Sequence, residues 1–186
     1  MQKRNILPLP LLILLLSFSH VSFADAGIGA QAPYFKIPAD TTGKNIELGQ
    51  QHAPLPTVIF FISTWCHWYL KDSEPEMATA CVNTRKTLQT LQHTNGEQSN
   101  IVAVVSRLWT TKKEIAAYRK KFNIGYPMLL DKSNEIFHAY QVKQVPTVIV
   151  LDRNGIIRYR ATGNISNPAS LRASLDKASG PAAPAR

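Results

Sequence analysis

The chain has 186 residues and a formal charge of +9, a size that suits one domain with one core. Its basic residues are scattered, as Lys112-Lys113, Arg119-Lys120-Lys121 and Arg158 to Arg160, rather than gathered with aromatics on one element; they suit solvated faces and exclude a nucleic-acid surface. Its two cysteines, Cys66 and Cys81, are too few for a disulfide scaffold, which leaves them a chemical or an incidental role.

Residues 1–24 read as a cleaved secretory signal. Lys3 and Arg4 come first, then an apolar run from Ile6 to Phe18, then Ser22-Phe23-Ala24 with small residues where a signal peptidase reads. Pro8 and Pro10 interrupt the run, which is shorter than the roughly 20 residues needed to span a bilayer, so no stable membrane anchor is expected. The expected location is the periplasm or another exported site. Loss of this segment removes Lys3 and Arg4 and lowers the charge to +7 over the remaining 162 residues.

Residues 25–179 then read as a single domain. Ala32-Pro33-Tyr34-Phe35-Lys36-Ile37 and Asn45-Ile46-Glu47-Leu48 alternate as short strands around the turn Thr41-Thr42-Gly43-Lys44, which predicts an N-terminal hairpin. The segment from Thr57 to Ser63 is apolar on both faces, as a central strand covered by helices is. Beyond Cys66, Ser73-Glu74-Pro75-Glu76 has capping-box spacing and predicts a helix to about Thr94, with Met77, Cys81, Thr84, Leu88 and Leu91 on one face. Ile101 to Ser106 is the next strand. Thr111-Lys112-Lys113-Glu114 repeats the capping-box spacing and opens a helix through Phe122, closed by Asn123-Ile124-Gly125. A short strand at Met128-Leu129-Leu130, a brief helix from Asn134 to Tyr140 and a strand over 146–151 follow. Asp152-Arg153-Asn154-Gly155 turns into a last strand, and Asn167-Pro168 caps a final helix. The tail over 180–186 holds nothing large and apolar and is expected to be disordered. This order predicts an α/β fold: a central mixed sheet with helices on both faces, parallel where helices form the crossovers and antiparallel at the final hairpin.

That order, with Thr64-Trp65-Cys66 ending a central strand, Val145-Pro146-Thr147 opening a later one, the Ala32-Pro33 start and the Asp152 to Gly155 turn, resembles the thioredoxin superfamily. Within it the chain looks most like the exported TlpA-like thiol-disulfide reductases and more distantly like the peroxiredoxins. The resemblance implies a three-layer thioredoxin-like fold, a cis Pro146 beside the nucleophile, and a Val145 backbone free to pair with a substrate peptide. It implies protein disulfides or thiols as substrates, an exported or membrane electron donor, and neither a cofactor nor a resident metal.

Chemistry centres on Cys66. A cysteine where a strand gives way to a helical turn faces unpaired backbone N–H groups, which favour the thiolate that attacks disulfides or peroxides. The usual Cys-x-x-Cys is absent, because Cys66 is followed by His67, Trp68 and Tyr69, and a phenol cannot resolve a mixed disulfide. On one continuous helix Cys81 would lie roughly 22 Å away, whereas a disulfide needs Cα atoms about 4.4 to 6.8 Å apart. Either Leu70-Lys71-Asp72 breaks the helix and makes Cys81 the resolving thiol, or Cys81 is a core residue and an external thiol resolves. His67 is a candidate proton relay and Tyr69 a candidate partner of the sulfur. Trp65 and Trp68 are expected to form an apolar rim for substrate, with Trp109 in the core or the rim.

Two alternatives stand beside this reading. A peroxiredoxin-like peroxidase fits Ser63, three residues before the cysteine, but not Ile59, where those enzymes carry proline. A non-catalytic thioredoxin fold carrying Cu(I) would use Cys66 with His67 or His138.

Overall fold

A computed structural model describes residues 26–38, 45–95 and 98–180. The segment read as a signal, the Thr41 to Lys44 turn and the last residues of the tail lie outside the described residues. The elements run β1 (Phe35–Pro38), β2 (Asn45–Leu48), β3 (Thr57–Ile62), α1 (Cys66–Tyr69), α2 (Pro75–Asn95), β4 (Asn100–Ser106), α3 (Lys112–Phe122), β5 (Met128–Asp131), α4 (Glu135–Ala139), β6 (Thr147–Leu151), β7 (Ile157–Thr162) and α5 (Pro168–Ser179).

β1 and β2 pair antiparallel, with Phe35 opposite Leu48. The main sheet is five-stranded in the order β5-β4-β3-β6-β7, with β3, β4 and β5 parallel and β6 and β7 antiparallel to their neighbours. Every residue of β3 is buried, because successive side chains enter cores on opposite faces. Val58, Phe60 and Ile62 meet Leu88 and Leu91 of α2, Ile115 and Tyr118 of α3, and Leu171 and Leu175 of α5. Ile59 and Phe61 meet Ile136 and Phe137 of α4, Tyr140 and the hairpin residue Leu48. The apolar run thus reflects a strand covered on both sides.

β6 departs from the expected rule that helical connections give parallel pairs, since it runs antiparallel to β3 with Phe61 opposite Thr147. The reason is length. α4 has five residues and rises only about 7.5 Å, too little to return the chain to the start of the sheet. β6 therefore begins at the end where β5 and β3 stop, which brings Val145 and Pro146 to the sheet edge that carries Cys66.

The helix termini follow local chemistry. At α3 the Thr111 N–H donates to the Glu114 carboxylate at 2.8 Å, a capping box, and Asn123 closes the helix in the left-handed region at φ 50°. Asn167 caps α5 by accepting the Ala169 N–H at 2.9 Å. α2 starts one position later than the Ser73 reading: the Glu74 carbonyl takes the Ala78 N–H at 3.0 Å and Pro75 occupies the first helical position, where its missing N–H costs nothing.

Candidate functional site

β3 delivers Ser63, Thr64 and Trp65 to the end of the sheet, and α1 begins at Cys66. α1 lasts one turn. Trp68 and Tyr69 donate their N–H groups to the Trp65 carbonyl at 3.1 and 2.9 Å, and the chain then turns through residues 70–74 before α2 starts. This break lets α2 fold back on α1. Cys66 and Cys81 form a disulfide with Cα atoms 6.3 Å apart across a sequence separation of 15. Of the two arrangements open in the sequence, the broken helix is the one observed.

The bridge is enclosed. Cys66 is 0% and Cys81 1% exposed, and Leu70 and Ala78 complete a small core onto which Trp65, Met77 and Val145 pack. The Val145–Pro146 peptide bond is cis. The Gly163 N–H donates to the Pro146 carbonyl at 2.8 Å, so the segment before β6 is fastened to the loop after β7. A groove of about 580 Å³ runs beside the bridge between Met77 and Ala80 of α2, Gln144 and Val145, and Gly163 and Asn164.

The flanking residues take unlike positions. His67 turns toward α3, where its ring meets Tyr118 at 5.6 Å and Phe122 at 5.0 Å between centroids. Neither imidazole nitrogen finds a hydrogen-bond partner among the described residues. Burial, reinforced by the cations of Lys121 and Arg85, holds this imidazole below its ordinary range. Arg85 is itself buried, stacked 3.8 Å from the Phe122 centroid and donating to Gln89 Oε1 at 2.7 Å. Burial also pushes the Tyr118 hydroxyl up to about 12, with Arg85 opposing.

Tyr69 faces outward rather than lying under the sulfur. Its ring meets Trp65 at 5.7 Å, Trp68 at 5.9 Å and Trp109 at 5.1 Å. Trp68 is 60% and Trp109 63% exposed, and Leu108 and Tyr69 are exposed beside them. Leu108 and Trp109 are the part of this surface that sequence reasoning did not assign; the available signal was an adjacent apolar pair within an otherwise polar connection. Trp65 links the surface to the bridge, packing on the disulfide core while its indole N–H donates to the Leu108 carbonyl at 2.7 Å.

Ser63 is buried at the end of β3, and Ile59 lies mid-strand in the core shared with α4. No group of three or more His, Cys, Asp or Glu suited to a metal occurs among the described residues. His138 sits on α4, which packs on β4 and β5, whereas α1 packs on α2. The structure does not join Cys66 and His138.

Two solved structures share the arrangement, and at their level of identity they establish the fold alone. StoA from Bacillus subtilis superimposes with a TM-score of 0.58 at 16% identity, over 76% of this chain and 96% of that one. The thioredoxin domain of a thiol-disulfide oxidoreductase from Bacteroides vulgatus gives 0.61 at 14% identity, over 80% and 98%. The fold is thioredoxin-like. By sequence, the thiol-disulfide oxidoreductase ResA of Bacillus subtilis is 27% identical over 74% of this chain and 69% of its own length. ResA of Geobacillus thermodenitrificans is 24% identical over 84% and 85%. The AhpC/TSA family model matches residues 28–160, and the chain belongs to that family.

Proposed function

We propose that the protein is an exported thiol-disulfide oxidoreductase whose exchanging pair is Cys66 and Cys81. The observation that carries the reading is the 6.3 Å Cα approach of these cysteines where β3 meets α1, beside Val145 and Pro146. Similarity to proteins named as thiol-disulfide oxidoreductases supports the same reaction class. Residues 1–24 supply the signal for export, and no helix among the described residues is long and apolar enough to cross a membrane.

In the reductive direction the Cys66 thiolate attacks one sulfur of a protein disulfide. A Cys66–substrate bond forms and the substrate's other sulfur leaves as a thiolate. Cys81 then attacks Cys66, restoring the internal bridge and releasing the second substrate thiolate. The substrate gains two electrons and the cysteine pair loses them. Oxidation of a substrate dithiol is the same sequence in reverse. Cys66 is the attacking atom because it occupies the first helical position, ahead of N–H groups without helical partners, while Cys81 lies inside α2. Val145 and Pro146 hold the substrate chain in the groove beside the bridge, and an exported or membrane donor returns the electrons.

Incubation of the oxidised protein with a reduced protein dithiol, followed by mass spectrometry of alkylated cysteines, tests this. The proposal requires both cysteines to become alkylated as the dithiol is oxidised, and requires Cys66→Ser to lose reduction of a model disulfide. A bridge that stays closed contradicts it. A peroxidase would start instead with the Cys66 thiolate taking oxygen from peroxide and releasing water, then condensing with Cys81 and releasing a second water to give the same bridge. Family membership favours testing this, and rapid Cys66-dependent peroxide consumption would identify it.

A further inference from the structure

The exposed aromatics raise a separate question. Trp68, Tyr69, Leu108 and Trp109 come from two elements, α1 and the β4–α3 connection, yet form one contiguous surface with Trp65. Large rings left in water side by side mark an interaction surface. The loop that presents them is firmly built. The Thr110 hydroxyl meets Thr64 at 3.1 Å and donates to the Leu108 carbonyl at 3.0 Å, the Thr110 N–H donates to Arg107, and the Leu108 N–H donates to Ser106 Oγ. Trp109 sits at φ 50°, a conformation a bulky side chain adopts only when its surroundings impose it.

We propose that this surface docks an apolar side chain of the partner polypeptide next to its reacting cysteine, making Trp109 and Trp68 specificity-determining residues; the proposal rests on the oxidoreductase reading above. Continuity with the bridge identifies the occupant. The surface ends at Trp65, which packs on a disulfide with almost no exposure of its own, so a partner that reaches the sulfurs must approach across it or from the groove opposite. The chemistry fixes the class. The Leu108 carbonyl already accepts two hydrogen bonds and the neighbouring N–H groups are engaged, so the loop offers carbon surface rather than a strand edge. Aromatic and aliphatic side chains suit such rings, and Trp and Tyr dominate contact energies at interfaces of this kind.

The test uses the oxidised full chain and two dithiol peptides, one with Leu and Phe beside its cysteines and one with Ser there, with dithiothreitol as a small dithiol. We expect the apolar peptide to be favoured about tenfold in kcat/KM, equivalent to ~1.4 kcal/mol, and the preference to vanish in Trp68→Ala/Trp109→Ala mainly through KM. Dithiothreitol should reduce both proteins at similar rates. Docking is read separately by tryptophan fluorescence titration with the apolar peptide carrying Ser in place of Cys. Binding weakened by Trp109→Ala supports the proposal even if exchange fails, whereas equal binding by wild type and both variants overturns it. Equal loss of rate toward dithiothreitol and both peptides also overturns it, since that reports a damaged fold; retained circular dichroism in each variant guards the comparison.

Discussion

The Thr84 hydroxyl, one turn along α2 from Cys81, donates to the Gly163 carbonyl at 3.0 Å and accepts the Ile165 N–H at 3.1 Å. Gly163 in turn donates to Pro146 at 2.8 Å. One buried side chain therefore couples the helix carrying Cys81 to the segment carrying Val145, across 79 residues of sequence.

Thr84→Val keeps the volume and removes both bonds, leaving a buried N–H and a buried carbonyl without partners. The expected loss is about 1 to 3 kcal/mol, measured by urea unfolding, with Thr84→Ser retaining most of the stability. Equal stability of Thr84→Val and wild type would show that this hydroxyl does not hold the loop.

The bridge should also stabilise the fold. Closing a loop of 15 residues constrains the unfolded chain by about 3 kcal/mol, which for a domain of this size corresponds to a fall of roughly 6 to 12 °C in Tm when the bridge is removed. Calorimetry of wild type with and without reductant, and of Cys81→Ser, measures it. An unchanged Tm on verified reduction would mean that α1 and α2 hold together without the bond.

His67 predicts a pH dependence. Its folded pKa lies below the ordinary value of 6.5, so the unfolded chain takes up the proton first as pH falls. Its stabilising effect is complete above about pH 6.5 and is lost as the pH drops toward the lower folded value. His67→Phe, which suits a ring packed on Tyr118 and Phe122, should flatten the decline between pH 7.5 and 5.5. Parallel unfolding curves in the two proteins over that range would contradict the burial of a neutral imidazole.

What could be read from the chain depended on how local its cause was. β3 was legible because six buried residues in a row leave no other placement, and the caps of α3 and α5 because Thr111–Glu114 and Asn167–Pro168 carry their own hydrogen bonding. The meeting of Cys66 and Cys81 was not legible. It depends on where α1 stops, and the sequence between Leu70 and Glu74 permits either a continuous or a broken helix. Trp109 was equally opaque, since an aromatic in a loop is ordinarily buried and its exposure here is imposed by hydrogen bonds from Trp65 and Thr110. The antiparallel β6 followed from the shortness of α4, a consequence visible only once the ends of the helix were fixed.

Trapping of the exchange intermediate tests the central claim most directly. Cys81→Ser keeps the attacking sulfur and removes the resolving one, so mixing it with a protein disulfide should accumulate a reductant-sensitive covalent adduct on Cys66, while Cys66→Ser should accumulate none. Failure of Cys81→Ser to form the adduct, or an equal adduct on Cys81 in Cys66→Ser, would contradict the assignment of Cys66 as nucleophile and Cys81 as its resolving partner.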